Sequence, residues 1–290
     1  MPTGPTIGIN LPHGVPGVDG PTLLTWARDA ERLGFSSIGV AERLVYANTD
    51  AVVTLAAAAA VTDHIGILAN VFIPALRPPA VFAKEIATLS LLAPGRLTLG
   101  VAGGARPQDH AAAAVPWDER GRLVDEAVEA LLALHTPDEH PHSLGPVPDA
   151  DIEILVGGAS KGAIRRMLRF GHGYIGGGVN PEITGYDIMA VRGAWEASGK
   201  PGAPRIVAGS WYASDDRAAD AAAWRETYLA QGGPPDFVLG PIGTGTEGVR
   251  EMVEAYAAVG ASEVVLLPCV DDIAELHWLA DILADHLDPR

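Results

Sequence analysis

One rhythm limits what this chain can fold into more than any other feature: short β-branched runs alternate with longer helical patterns from end to end. The candidate strands are Thr6–Asn10, Ser37–Val40, Ile65–Val71, Leu97–Val101, Ile152–Val156, Gly173–Ile175, Arg205–Ser210 and Val264–Leu267. Helical patterns fill the intervals at Thr22–Leu33, Asp50–Thr62, Ala80–Leu92, Arg120–Leu134, Lys161–Phe170, Tyr186–Ser198, Asp215–Ala230 and Thr246–Val259, with a last one at Asp271–Leu287. Several strand runs are apolar without alternation, as expected for parallel strands covered by helices outside and packed within. Asp50, Ser160, Ser214 and Thr244 or Thr246 stand where first-turn amides need an acceptor. Gly34, Gly171, Gly199 and Gly260 follow helices, where a left-handed residue is favoured. Eight strand–helix units without a break in composition predict an α/β chain forming a single (β/α)8 TIM barrel over residues 1–290. A doubly wound open sheet is the alternative that the count leaves standing.

Composition removes several classes of partner. Lys and Arg total 20 against 36 Asp and Glu, a net charge of −16, which argues against a nucleic-acid or anionic-membrane partner. The 48% hydrophobic and 19% charged content is that of a chain with a core. A single cysteine, Cys269, permits neither an intramolecular disulfide nor a cysteine zinc site, and suits a reducing compartment. Met1–Asn10 lacks the basic and apolar regions of a signal peptide, and the longest apolar run, Ala51–Val61, is shorter than the ~20 residues of a span. The expectation is a cytoplasmic protein without a membrane partner.

In a barrel, reactive groups gather just past the carboxyl ends of the strands. Those positions here hold Asn10, His13, Glu42, Arg43, Asn70, the stretches Gly103–His110, Gly157–Lys161 and Gly176–Asn180, then Trp211, Tyr212 and Cys269. Glycines and amides dominate, which suits seating a flat or phosphorylated cofactor better than hydrolysis. In Ile154–Lys161 a strand runs into Gly157-Gly158 and Ser160 opens a helix, offering free N–H groups and a positive dipole end to a phosphate. An ordinary capped turn reads the same way. In Leu99–Arg106, Gly103 and Gly104 leave room for a ring face or sugar, with Arg106, Gln108 and Asp109 above; a flexible turn is the plainer reading. Glu42 could bond a cofactor or act as a base, or it could pair with an arginine and brace the rim. Asn180 and Tyr212 are placed to face a substrate. His135, His140 and His142, with Asp138 and Glu139, match no helical ligand pair, so no metal is expected. No G-x-S-x-G or Cys–His signature marks a nucleophile.

Four stretches then carry a resemblance along nearly the whole chain: Leu33–Leu44 (LGFSSIGVAERL), Ala69–Gly104 (ANVFIPALRPPAVFAKEIATLSLLAPGRLTLGVAGG), Ile154–Ile175 (ILVGGASKGAIRRMLRFGHGYI) and Gly243–Leu267. Together they resemble the bacterial luciferase-like family of flavin- and deazaflavin-dependent oxidoreductases. The resemblance implies FMN or the deazaflavin coenzyme F420, with its ring over the strand ends, and hydride transfer or monooxygenation on a small organic substrate. It implies a non-prolyl cis peptide at or near Ala69-Asn70, ring contacts at Gly103 and Gly104, and a phosphate loop at Gly157, Gly158, Ala159 and Ser160. Arg106, Lys161, Arg165 and Arg166 are the cations read as lying near that loop. Many members carry Asp-His after the second strand where this chain has Glu42-Arg43. Glu42 keeps the acid. Arg43 replaces a proton-donating histidine with a group that stays charged, so His13 is the candidate substitute, and Gln108 and Asn180 are the substrate-facing candidates. A reductase or cofactor supplier and a homodimer are further implied partners. A flavin-binding barrel without turnover, and a phosphosugar isomerase or aldolase, are the competing readings.

Overall fold

The computed structural model describes residues 4–135, 144–148, 151–178, 180–231 and 240–289. Its strands are β1 (Thr6–Asn10), β2 (Ser37–Val40), β3 (Gly66–Phe72), β4 (Leu97–Val101), β5 (Glu153–Gly157), β6 (Gly173–Ile175), β7 (Arg205–Ala213), β8 (Gly243–Thr244) and β9 (Glu263–Pro268). From β1 to β7 each strand pairs in parallel with the next; β7 then pairs with β9, and β9 returns to β1. Eight strands thus close a ring, and the open-sheet alternative, which needs two free edges, is excluded. The two residues of β8 only extend the end of β7, through Tyr212↔Gly243 and Ala213↔Thr244.

Alternation along each strand sorts side chains into two cores. Ile7, Ile9, Ile38, Ile67, Leu99 and Val264 point outward and bury themselves against Leu23, Trp26, Phe82 and Leu279 of the surrounding helices. Inside the ring a smaller cluster forms from Leu68, Leu155, Ile175, Val207 and Val265, with Val71 packed on it. Gly8, Gly39, Gly100 and Gly209 share the inward-facing parity. At Gly100 an added Cβ would overlap the Ala69 carbonyl and sit 2.9 Å from Val71 Cγ1 and 3.2 Å from Ile175 Cδ1. Branched side chains from part of the ring therefore fill the bore against bare backbone from the rest, which is how a barrel reaches close packing without overfilling.

The amino-terminal end of the bore is closed by charge. Glu263 accepts hydrogen bonds from Ser36 (2.7 Å) and Ser37 (2.6 Å) and from the Arg205 guanidinium (2.5 Å). Arg205 also pairs with Glu153, which accepts from Thr98 at 3.1 Å. Both oxygens of the buried Glu263 carboxylate have donors, the condition under which burying it is tolerable.

Several expected boundaries shift for local reasons. Asp50 and Ser160 do cap, accepting from Val53 N (2.9 Å) and Ala163 N (3.2 Å). Ser214 does not, because Glu275 takes both its N–H (2.8 Å) and its hydroxyl (2.6 Å); a 3-10 turn at Asp215–Arg217 precedes the helix Ala218–Ala230. Thr244 donates to Ile242 O at 3.3 Å instead of capping, and Gly171 is extended rather than left-handed. The last helix stops at Ile282, followed by a 3-10 turn. A short helix at Pro107–Ala112 and the early start at Pro181 were not anticipated. Among the described residues no helix is long and apolar enough to cross a membrane.

Alanine for an exposed strand glycine normally stabilises slightly. Gly100→Ala should instead cost about 2 kcal/mol, because the added carbon meets rigid backbone. Urea unfolding followed by circular dichroism checks this, and a neutral or stabilising result would mean that the bore has slack at this level.

Candidate active site

The mouth of the barrel is shaped by the end of β3. The peptide bond between Asn70 and Val71 is cis, one bond beyond Ala69-Asn70, and pairing with β4 shifts register between Ala69 and Phe72. Two consecutive residues here face the bore. Val71 packs on the inner cluster, and Asn70 Nδ2 donates to Asn10 Oδ1 at 3.1 Å. Asn70 Oδ1 lies 3.6 Å from where a Cβ on Gly177 would be, across the ring. Asn10 Nδ2 is left as a buried donor without a partner, beside the bare backbone of Gly39. Ala69 places its methyl group in the outer, helix-facing core, so toward the bore it offers only its carbonyl.

Glu42 holds this bend. Its N–H donates to Val71 O at 3.0 Å, its Oε2 accepts from Ile73 N at 2.5 Å, and its Oε1 pairs with Arg77. Arg77 in turn lies 3.4 Å from Glu85. The carboxylate is nearly inaccessible and both oxygens are in use, so it is built as a brace and not as a free base. His13 is similarly tied. Its Nδ1 lies 3.0 Å from Leu11 O and its Nε2 2.9 Å from Ala41 O, and burial pushes its pKa down. A neutral imidazole has one N–H, so one contact is a donated bond and the other a close approach. The ring fastens the loop after β1 to the end of β2.

The two glycine exits differ. Gly104 is left-handed (φ +75), and a Cβ there would sit 2.9 Å from the His110 ring, so this turn is packed from behind. Gly158 (φ +82) has open space around it, and Gly157 touches only Ala102 closely. Ser160 caps the helix Lys161–Phe170, its carbonyl accepting from Ile164 N at 2.9 Å. First-turn amides at Lys161 and Gly162 remain available, as at any helix start. Of the four cations expected here, Lys161 stays by the loop. Arg166 is buried on Asp125 (2.5 Å) and Gly121 O (2.6 Å), Arg165 reaches toward Asp125 (3.7 Å), and Arg106 turns to Val45 O (3.4 Å).

Three other residues sit differently from expectation. Gln108 is exposed on the helix Pro107–Ala112, whose buried face carries Asp109 and His110; Asp109 Oδ1 accepts from Leu44 N (3.1 Å) and Val45 N (2.7 Å). Asn180 spends its oxygen capping Glu182 N at 2.9 Å. Tyr212 turns into the outer core, where its ring stacks on Trp278 and burial raises its pKa. Residues 136–143, 149 and 150 lie outside the described residues, and with them Asp138, Glu139, His140 and His142 of the histidine-bearing loop.

Arg43 occupies an aromatic box that its sequence position did not reveal. Its guanidinium carbon lies 4.3 Å from the Tyr46 ring centre and 4.4 Å from that of Tyr228. Tyr228 stacks on Trp224 at 5.0 Å, and Trp211 lies 5.3–5.4 Å from both. Trp224 and Tyr228 stand four apart on one helix, a spacing that signals a shared face.

Residues 7–265 match the family described as luciferase-like monooxygenase, and the chain belongs to that family. An uncharacterised protein of Mycobacterium tuberculosis is 34% identical over 135 residues, covering 43% of this chain and 46% of that protein. An F420-dependent glucose-6-phosphate dehydrogenase of Beutenbergia cavernae is 32% identical over 173 residues, 53% of this chain and 51% of that protein. The chain thus spans about half the length of the curated relatives it matches. The structure of an F420-dependent secondary alcohol dehydrogenase bound to an F420–acetone adduct superposes with a TM-score of 0.80 at 18% identity, over 99% of this chain and 100% of that one; this likeness establishes the shared barrel.

If Glu42 is a brace, Glu42→Ala should lower stability by about 3 kcal/mol in the absence of any ligand, because the half-buried Arg77 loses its partner. Denaturant unfolding measures this. A loss below about 0.5 kcal/mol would free Glu42 for another role.

Proposed function

We propose that this protein is an oxidoreductase that binds FMN or coenzyme F420 at the barrel mouth and acts on a small organic molecule by hydride transfer or monooxygenation. The observation that carries this reading is the cradle at the strand ends. There Asn70 reaches toward the bare backbone of Gly177, and its partner Asn10 keeps a buried amide donor without a partner beside Gly39. Such a surface fits the edge and face of a flat heteroaromatic ring, whose carbonyls and ring nitrogens would satisfy the orphan donor. When bound, a flavin or deazaflavin supplies the two-electron chemistry; the protein supplies binding, orientation and electrostatics.

In this reading Gly157, Gly158, Ala159 and Ser160 hold the cofactor phosphate at the helix start, with Lys161 adding charge. Asn70, the Ala69 carbonyl and the Gly103-Gly104 turn seat the ring. Glu42 and His13 are positioning residues, since both are consumed by backbone contacts. Arg43 brings a permanent cation where the family's histidine stands, which favours stabilising negative charge over giving up a proton. Because Glu42 and His13 are both tied, cofactor binding without turnover is the second reading. A Schiff-base aldolase is disfavoured: Lys84 and Lys161 lie on helices and Lys200 donates to Gly171 O at 3.1 Å, none of them on a strand.

Titrating the protein with FMN and with F420, followed by cofactor fluorescence, should give binding well below millimolar for at least one of them. Ser160→Asp keeps a good cap but sets a negative charge against the phosphate. It should weaken that binding tenfold or more, about 1.4 kcal/mol, with unchanged melting behaviour. No binding of either cofactor overturns the reading; unchanged affinity in the variant overturns the phosphate assignment. Turnover of bound cofactor with reductant and candidate substrates separates the enzyme from the silent binder.

A further inference from the structure

The aromatic box around Arg43 holds more cation than the chain compensates. Its guanidinium carbon lies 4.3 Å from the Tyr46 ring centre and 4.4 Å from that of Tyr228, whose rings meet edge-on 6.2 Å apart, and all three of its nitrogens are buried without a hydrogen-bond partner. Arg106 is close enough to oppose its charge, and Arg106 Nε is buried without a partner as well. Asp109 lies within electrostatic reach, but its Oδ1 is engaged by the Leu44 and Val45 amides. Burial disfavours the charged form of Arg43 and the aromatic faces only partly offset this, while the fork of N–H donors along its edge goes unused. In a chain of net charge −16 such a concentration of unspent guanidinium is out of character.

We propose that Arg43 and Arg106 receive the carboxylate of a planar, aromatic-bodied substrate at the rim of the barrel mouth. A carboxylate matches the guanidinium fork in geometry and charge, and entry of the anion satisfies donors that water does not reach. Trp224, stacked on Tyr228 and backed by the tilted, buried ring of Trp211, offers the apolar wall that the body of such a molecule would lie against. Calling the bound anion a substrate rests on the oxidoreductase reading; the existence of the anion site does not.

The test uses benzoate as the probe and benzamide as its neutral isostere, titrated into the cofactor-free protein and followed by tryptophan fluorescence. Benzoate should bind at least tenfold tighter than benzamide, and either Arg43→Gln or Arg106→Gln should abolish the difference; the two variants guard against one failing to fold. Equal affinity for the two probes, or benzoate binding within twofold of the parent in both variants, overturns the proposal. Since no cofactor is present, that failure leaves the FMN and F420 titrations unaffected, and a failure of those titrations leaves this result standing.

Discussion

The mouth of this barrel depends on one carboxylate. Glu42 stands just past β2 but holds the end of β3, through its own amide, through Ile73 N and through Arg77. These bonds fix the bend that turns both Asn70 and Val71 into the bore. Val71 then closes the inner core, and Asn70 meets Asn10 and looks across to Gly177. Remove the brace and the segment that brings Asn70 to Asn10 above the apolar plug loses its anchor. A charge buried this completely is stabilising only while all its partners stay in place, so the same group that stiffens the rim makes it intolerant of change.

Below that rim the bore is a compromise between filling and approach. Five branched side chains meet the bare backbone of inward-facing glycines, and the lower end is sealed by Glu263, Arg205 and Glu153. At the top, open space surrounds Gly158, and Gly177 is solvent-facing. Rigid support below and a polar, side-chain-poor surface above are what a barrel needs to orient a flat molecule without enclosing it.

Much of this was legible in the sequence, and the parts that were not share a cause. Strand–helix rhythm gave the barrel, because parallel strands and covering helices leave distinct periodicities. The Asp50 and Ser160 caps were readable because they are local. The partner of Glu42 was not, since Arg77 lies 35 positions on and only the bend of β3 brings it near. Ala69 faces outward because the register shift begins after it. Gln108 yields to Asp109 because an unanticipated turn of helix rotates the stretch, and Asn180 is taken by the start of the helix Pro181–Ala197. The box around Arg43 joins a loop after β2 to a helix after β7, a contact that no single window contains.

Gly177 is the position that most directly exposes whether the cradle seats a ring. It is solvent-facing, and a Cβ there would meet only Asn70 Oδ1, at 3.6 Å. Gly177→Val should therefore fold with a stability within about 1 kcal/mol of the parent while filling the space above Asn70. Measured by cofactor titration on that variant, FMN or F420 affinity should fall by at least tenfold. Parental affinity in a folded Gly177→Val protein would place the ring elsewhere and contradict the cradle.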